Sequence, residues 1–411
     1  MSTVARLLVL VVMLAAGFFA GMFYQNNQKA HSAQNLALLA AQDESAWYSH
    51  FVQSLYRSGD LVESYSENLS DLDKREGYRL ITRMMALGFD RILETANPAA
   101  PQFYRLQSAQ RKFAGDAPDQ LYHAANIAGE YRYRISGQLY TDEQATTQLN
   151  TLLIEASVYG GNLSFDGSSS RRLVSHIDES DLVTDDQGRF EIILSKEPEG
   201  DNWLALEDDV KNVLVRRYFA GPQLHDLLPL TIERIDDVAD YQPLTEKQLV
   251  KGLLGTAAMV EETVRYWHDW VNDTRAASGV NQLVALKDDG DLLTPAGIKY
   301  IQGAWELKSN QALRISFTPP NVPYWSFVPM NMWMESFDWH LMPDGMQVSS
   351  NNYMSSKEPD GSVVLYLSEQ DPDHPNWIYT QGHSAGLMSF RFARMAEQNL
   401  PEVKTELISL Q

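Results

Sequence analysis

An internal repeat constrains the fold of this chain more than any other feature. The clearer copy is residues 360–394, DGSVVLYLSEQDPDHPNWIYTQGHSAGLMSFRFAR, and the fainter copy is residues 186–219, DQGRFEIILSKEPEGDNWLALEDDVKNVLVRRYF. Each copy has a polar turn ending in Gly, a strand-forming run ending at Ser, an acidic turn, an Asn-Trp pair and a basic-aromatic strand. Two units near 131–219 and 311–393 are therefore predicted to be one duplicated module.

Positions that the two copies share are predicted to be structural. The shared pairs are Gly188 and Gly361, Asn202 and Asn376, Trp203 and Trp377, and Arg216 and Arg391. The indoles are expected to fill equivalent cores, and the asparagines to bond the backbone of turns. Residues present in one copy only are freer to serve function, and His374 and His383 meet that criterion.

Short strand signals predict an antiparallel β-sandwich. Tyr131, Tyr133 and Ile135 alternate with polar residues, and further signals follow at 152–159, 172–177, 190–194 and 214–219 between Gly, Asp and Ser turns. The run 325–339 has apolar residues at both alternating sets of positions, which predicts a strand in the middle of the fold.

Three helices are predicted beside the strands. The first spans 33–57, where apolar residues recur at helical spacing up to Ser58 and Gly59, and the second spans about 74–96 with Ser70 or Asp71 as its cap. Both are expected to pack on the later sheet. The third spans 243–272, begins at a Thr245–Gln248 capping box and is expected to bridge the modules.

These patterns predict an α+β fold, with duplicated antiparallel, jelly-roll-like β-sandwich modules, N-terminal helices, a bridging helix and one N-terminal transmembrane helix. The predicted divisions are an anchor at 1–31, a helical region at 32–125, a first sandwich module at 126–240, a bridging segment at 241–310 and a second sandwich module at 311–411. Whether the two modules form one domain or two is left open.

The N-terminal segment predicts a location outside the cytoplasm. From Leu7 to Tyr24 the sequence LLVLVVMLAAGFFAGMFY holds eighteen consecutive uncharged and mostly apolar residues, about enough to cross a bilayer as a helix. Ala15 and Gly17 are also spaced like a signal cleavage site. The apolar run continues through Phe23, which favours an uncleaved anchor in the lipid bilayer.

The charge and the cysteine content exclude several classes of function. The formal net charge of -21 is spread along the chain, and it argues against a nucleic-acid partner, which would need a basic stripe. The chain has no cysteine, so disulfides, thiolate metal sites and a Cys nucleophile are excluded.

Three segments resemble a known family. They are GEYRYRISG at 129–137, YWSF at 324–327 and PNWIYTQGHSAGLMSFRF at 375–392, and REGYRLITRMMALGF precedes them. Together they resemble the bacterial family catalogued as domain of unknown function 1214. The resemblance implies β-sandwich modules decorated with helices, in proteins whose substrate and activity are not established, and it carries no catalytic residue set. Ser384 stands where the family pattern often has a charged residue, which speaks against a role for that serine.

The second copy holds two motifs that mimic functional sites. Residues 382–386 read G-x-S-x-G, but no histidine follows position 383 and strand-helix alternation is lacking, so a glycine-rich strand or turn connection is the better interpretation. Asp371, Asp373, His374 and His383 have side chains that metals accept, yet their spacing matches no ligand pattern and two prolines indicate a surface turn. No metal and no cofactor are predicted.

Acid-base and anion-binding groups have competing explanations. Glu335 falls on one strand face with Trp333 and Phe337, where a carboxylate among aromatic rings would have a raised pKa; it could equally lie at a strand end in water. Arg132 and Arg134 share a face and could hold an anionic group, although salt bridges are the commoner role.

The function predicted from sequence is that of a binding protein. We expect a periplasmic bulk, a single-pass anchor in the bacterial inner membrane and an aromatic-lined cleft for an apolar or glycan-like small molecule. The candidate ligand-binding residues are Trp333, Trp377, Asn376, Arg134 and Tyr324. One alternative is a hydrolase or lyase that uses His383 or His374 with Glu335 as acid-base groups. A second alternative is an envelope scaffold, and the oligomeric state is left open.

Overall fold

The computed structural model of the chain describes residues 46–140, 150–163, 169–223, 227–236, 243–286, 297–343, 345–395 and 399–410. The helices are α1 (Ala46–Tyr65), α2 (Asp71–Gly88), which continues into a π-helical turn (Phe89–Glu94), and α3 (Glu246–Ser278). The predicted anchor at 7–24 lies outside these residues. Among the helices that are described, none has the length and apolar character to cross a bilayer.

The first module is a pair of sheets. Its five-stranded sheet has the order β1 (Tyr104–Gln107), β2 (Gln120–Asn126), β8 (Val210–Tyr218), β4 (Leu153–Gly160) and β5 (Arg172–Asp178). Its four-stranded sheet has the order β7 (Trp203–Ala205), β6 (Arg189–Ser195), β3 (Tyr133–Gln138) and β9 (Leu230–Arg234).

The second module repeats this arrangement. Its five-stranded sheet has the order β10 (Val284–Ala285), β11 (Ile298–Glu306), β17 (Ala385–Ala393), β13 (Trp325–Met330) and β14 (Ser350–Asn351). Its four-stranded sheet has the order β16 (Trp377–Tyr379), β15 (Val363–Ser368), β12 (Gln311–Phe317) and β18 (Lys404–Ser409). Both modules therefore have one strand topology, as the internal repeat predicts.

The shared asparagines have equivalent structural contacts. Asn376 accepts from the Ser356 amide at 2.7 Å and donates to the carbonyls of Ser356 at 2.8 Å and Val364 at 2.9 Å. Asn202 makes the same three bonds in the first module, to Val183 and Glu191. Each asparagine thus joins a loop to the central strand of its four-stranded sheet.

Each sandwich has its own core, and the five-stranded sheets also bury their outer faces. The inner faces form one apolar cluster around Ile135 and Val213 and another around Ile315 and Phe390. The outer faces meet in a third cluster that joins Tyr218 of the first module to residues of the second. Helix α3 contacts β11 and β17 on this outer side and packs against α1 and α2.

The structure corrects the predicted boundaries of both modules. Strands β1 and β2 lie in the stretch assigned to the helical region, and β10 and β11 lie in the stretch assigned to the bridging segment. Because β2 is buried on both faces, it shows no period-two alternation in the sequence. Helix α1 also continues past Gly59, since Val62 beyond it is fully buried.

The predicted central strand at 325–339 ends early. Strand β13 stops at Met330, and the Asn331 side chain accepts from the amides of Trp333 and Glu335, which fixes a turn. Met334 within this turn has a positive φ of 59°. Glu335 therefore lies on a loop, and the face assigned to it by strand alternation was wrong.

The duplicated asparagines allow a stability prediction. The Asn376 side chain is fully buried. Asn376→Ala should destabilise the protein by roughly 3 kcal/mol, because three backbone groups lose their hydrogen-bond partner: the amide and carbonyl of Ser356 and the carbonyl of Val364. Asn310→Ala, at an exposed position, should change stability by less than about 0.5 kcal/mol. Urea unfolding of both variants checks this, and equal midpoints would refute the structural role of Asn376.

Candidate functional site

A cavity of about 130 Å³ lies where the outer faces of the two five-stranded sheets meet α2 and α3. Its apolar lining comes from helices, sheets and loops, and includes Met84, Leu87, Phe113, Leu214, Met259, Trp267, Trp270 and Met334. An engineered protein cavity of roughly 150 Å³ is large enough to bind benzene. The space therefore suits a molecule about the size of one aromatic ring.

Strand alternation brings two arginines to this cavity. In β8, Val215 points into the sandwich core, so its neighbours Leu214 and Arg216 line the cavity on the opposite face. In β17, Phe390 points into the core and Arg391 lines the cavity. The two arginines are equivalent positions of the repeat.

The arginine of the first module has an internal counter-charge. In the strand register, Arg216 lies between Tyr122 and Glu155, and its Nη1 donates to the Glu155 carboxylate. Burial on its own would lower the pKa of Arg216, but neighbouring Tyr159 and Glu155 raise it well above its usual value. Arg216 is therefore a charged group with a buried partner.

The arginine of the second module lacks such a partner. Arg391 lies between Tyr300 and Ser326, so an uncharged serine takes the place of the glutamate. Its Nη2 donates to the Gly115 carbonyl, while its Nη1 has no hydrogen-bond partner among the described residues. The side chain is only 5% exposed. It forms no ion pair with any carboxylate in the described parts of the chain.

Asp119 influences Arg391 electrostatically but is bonded elsewhere. Its Oδ2 accepts from the Tyr324 hydroxyl at 2.8 Å and from the Asn351 amide at 2.6 Å. Burial raises the pKa of the Asp119 carboxyl, and these hydrogen bonds reduce that effect only in part. Asp119 thus ties the two modules together and does not pair directly with Arg391.

Further arginines make the cavity margin positive. Arg171 lines the cavity, and its guanidinium carbon lies 3.5 Å from the ring centroid of Tyr159. Burial alone would raise the pKa of the Tyr159 phenol, but Arg216 and Arg171 lower it overall. Arg91, on the π-helical turn, lines both the cavity and an adjoining surface groove.

A second group of charges lies under helix α2. Arg83 Nη1 approaches Glu335 Oε2 to 2.8 Å, and Asn331 donates to the same oxygen at 3.2 Å. Glu335 is fully buried, and this burial raises its pKa to about 7, although Arg83 opposes the shift. Of the two environments that the sequence left open for Glu335, the structure has the buried one. Lys112 Nζ lies 3.3 Å from Asp338, and burial lowers the Lys112 pKa.

His383 and Trp333 meet at the start of the same helix. His383 Nδ1 lies 2.8 Å from Asp73 Oδ1, and its ring stacks on Phe337 with centroids 5.0 Å apart. The Trp333 indole donates to the Asp73 carbonyl at 2.6 Å. His383, Trp333 and Glu335 are therefore brought together through α2, yet none of the three lines the cavity.

The other predicted site residues lie apart from that group. His374 is on a turn. Its Nδ1 accepts from the backbone N–H of Asn376 at 3.1 Å, and its Nε2 lies 3.5 Å from the Glu358 carboxylate. Arg134 pairs with Glu233 at 3.1 Å on an exposed face. Trp377 donates to the Ser368 carbonyl at 3.2 Å. Their predicted roles in binding or catalysis stay predictions.

Two predicted motifs have simple local explanations. Ser384 precedes strand β17 and no helix follows directly, in keeping with a strand connection. The Asp371 carboxylate accepts from the Asp373 amide at 2.8 Å, which makes a local turn. Within the described residues no group of three or more His, Asp or Glu side chains is arranged to hold a metal ion.

Sequence reasoning did not distinguish Arg391 from Arg216. The shared position of Arg216 and Arg391 led us to interpret both as structural. The informative signal is the strand opposite them, which has Glu155 in one copy and Ser326 in the other. Comparing the partners of repeated residues, as well as the residues themselves, would have revealed the unpaired guanidinium.

Residues 302–394 match a family described as protein of unknown function (DUF1214). The resemblance predicted from the sequence is thereby confirmed, and the matched stretch includes Arg391 and Ser326. A comparison with curated proteins finds no match.

Two solved structures are similar to the chain. An uncharacterized protein from Burkholderia cenocepacia aligns with a TM-score of 0.80 and 26% sequence identity, covering 91% of this chain and 99% of that chain. A protein from Vibrio parahaemolyticus aligns with a TM-score of 0.44 and 12% identity, covering 85% of this chain and 100% of that chain. The first supports the mostly β, sandwich-like architecture with a few helices.

The buried Glu335 predicts a pH-dependent stability. Its pKa is raised from 4.5 to about 7, so the folded state holds this proton more tightly than the unfolded state. This stabilisation is complete below about pH 4.5 and is lost as pH rises through 7. The stability of the wild type relative to Glu335→Gln should therefore fall by about 2 kcal/mol between pH 5.5 and 8.5.

Urea unfolding of the wild type and of Glu335→Gln at several pH values measures this difference. Groups that titrate in both proteins cancel in the comparison. A difference that stays constant or rises with pH would show that Arg83 keeps Glu335 ionised throughout.

Proposed function

We propose that the protein binds a small, largely apolar molecule in the cavity between its two modules. The observation that carries this proposal is an interior space of about 130 Å³ with a mostly apolar lining and a few convergent polar groups. The lining favours an apolar ligand over the glycan-like alternative, because leucine, methionine and tryptophan side chains dominate it.

The proposed site differs in place from the cleft expected from sequence. The sandwich interiors are filled by their own side chains, such as Phe327 and Leu365, which are fully buried. Aromatic lining is instead supplied at the module junction by Phe113, Tyr122, Trp267, Trp270 and Tyr300. A groove that shares Arg91, Leu163 and Met259 with the cavity offers a route towards it.

We also propose that residues 7–24 anchor the protein in the bacterial inner membrane, with the modules in the periplasm. The support is the uninterrupted apolar run of that segment. We propose in addition that the two sandwiches are of the jelly-roll type.

An acid-base enzyme is the second candidate function. It is favoured by the 2.8 Å contact between His383 and Asp73, which matches a base held by an orienting carboxylate. It is weakened by Glu335, which is fully buried and bonded to Arg83. Binding in the cavity is therefore the function that the geometry supports best.

Filling the cavity tests the binding proposal. Met259→Trp adds bulk at a half-buried cavity position on α3, and Lys251→Trp adds the same indole at an exposed position of that helix. We expect benzamide, a neutral ring-sized probe, to raise the thermal midpoint of the wild type and of Lys251→Trp, because a ligand that binds only the folded state stabilises it. Met259→Trp should show no such shift.

Equal shifts in all three proteins would place benzamide binding outside the cavity. The absence of any shift in the wild type at millimolar benzamide would contradict the proposed function.

A further inference from the structure

We infer that the cavity ligand carries a single carboxylate, which Arg391 binds. This inference rests on the proposed function of the cavity and adds a charge class to it. The ligand would combine one anionic group with an apolar portion about the size of an aromatic ring.

The duplication supplies the first step of the argument. A row of side chains across the first five-stranded sheet reads Tyr122, Arg216, Glu155, and the equivalent row in the second reads Tyr300, Arg391, Ser326. The two rows differ at one type of position, the carboxylate. In the first module the Glu155 carboxylate neutralises the buried arginine. The second module has no carboxylate at the equivalent position.

The second step is the cost of the missing partner. A buried charge is stable when it is paired and hydrogen-bonded, and an unpaired buried charge is strongly destabilising. Arg391 bonds the neutral Gly115 carbonyl and lies over the face of Tyr300, whose centroid is 5.8 Å from the guanidinium carbon. The charge of Asp119 also acts on Arg391, but the Asp119 carboxylate is hydrogen-bonded to Tyr324 and Asn351. Its Nη1 has no hydrogen-bond acceptor among the described residues, so this atom can donate a hydrogen bond to an acceptor on a ligand.

The third step is the room around the guanidinium. Gly115 has a positive φ of 66°, and a Cβ there would lie 3.4 Å from Arg391 Nη2 and 3.2 Å from Met334 Cε. A side chain at this position would therefore crowd the charged end of the cavity, which the glycine avoids. Much of the remaining lining, including Trp267 and Leu214, is apolar and suits the uncharged part of the ligand.

A carboxylate fits the geometry of Arg391. Arg216 is paired with Glu155 and Arg171 lies against the ring of Tyr159, whereas Arg391 has a buried Nη1 with no hydrogen-bond partner among the described residues. An arginine fork also matches the two oxygens of a carboxylate in geometry.

The test compares benzoate with benzamide, which have nearly the same shape and differ in charge. In the full-length wild type, calorimetry should give benzoate a Kd at least about tenfold lower than that of benzamide, as expected for a charge-assisted hydrogen bond. Arg391→Gln should abolish the preference for benzoate, so that the Kd values of the two probes agree within about twofold, since the variant lacks the positive charge and the guanidinium donors.

A second pair of variants guards against misfolding of Arg391→Gln. Ser326→Glu places in the second module the carboxylate that Glu155 provides in the first, so it should occupy Arg391 and weaken benzoate binding at least about tenfold. Ser326→Gln is its uncharged control of similar size and should keep the preference for benzoate.

The outcomes separate the two proposals. Equal affinity of the wild type for benzoate and benzamide would overturn the carboxylate inference and leave cavity binding standing. Binding of neither probe would overturn both proposals. Equal benzoate affinity in Ser326→Glu and Ser326→Gln would show that the anion does not lie at Arg391.

Discussion

The structure depends on burying two equivalent arginines at the junction of its modules. A guanidinium in a low-dielectric interior requires a counter-charge and hydrogen bonds, and strand pairing alone does not provide them. The first module meets this requirement with Glu155, whereas the second leaves Arg391 beside a cavity. The arginine of the first module therefore has a carboxylate partner, and the arginine of the second has none among the described residues.

The duplication explains why this difference is tolerated. Both modules retain the residues that fix their loops, so Asn202 and Asn376 make the same backbone bonds. The two sandwich cores are separate apolar clusters, and neither of them includes the arginines. Change is thus concentrated on the outer faces of the five-stranded sheets, where α3 and the module contact enclose a small volume.

The sequence predicted the repeated module, several strands within its two copies and the capped helix at Thr245, because these follow from local patterns and from self-similarity. It did not predict the place of β2, which is buried on both faces and lacks alternation, or the loop that holds Glu335. The cavity was beyond sequence reasoning because it is built from residues far apart in the chain. Arg391 was identified but interpreted as structural, since its partner strand was not compared.

The most direct measurement is mass spectrometry of small molecules released from the full-length protein purified from its native cells, with Met259→Trp purified in parallel. The account predicts an apolar monocarboxylate in near-stoichiometric amount from the wild type and its loss from the variant. The same compound in equal amount from both proteins, or a released molecule without an anionic group, would contradict the account.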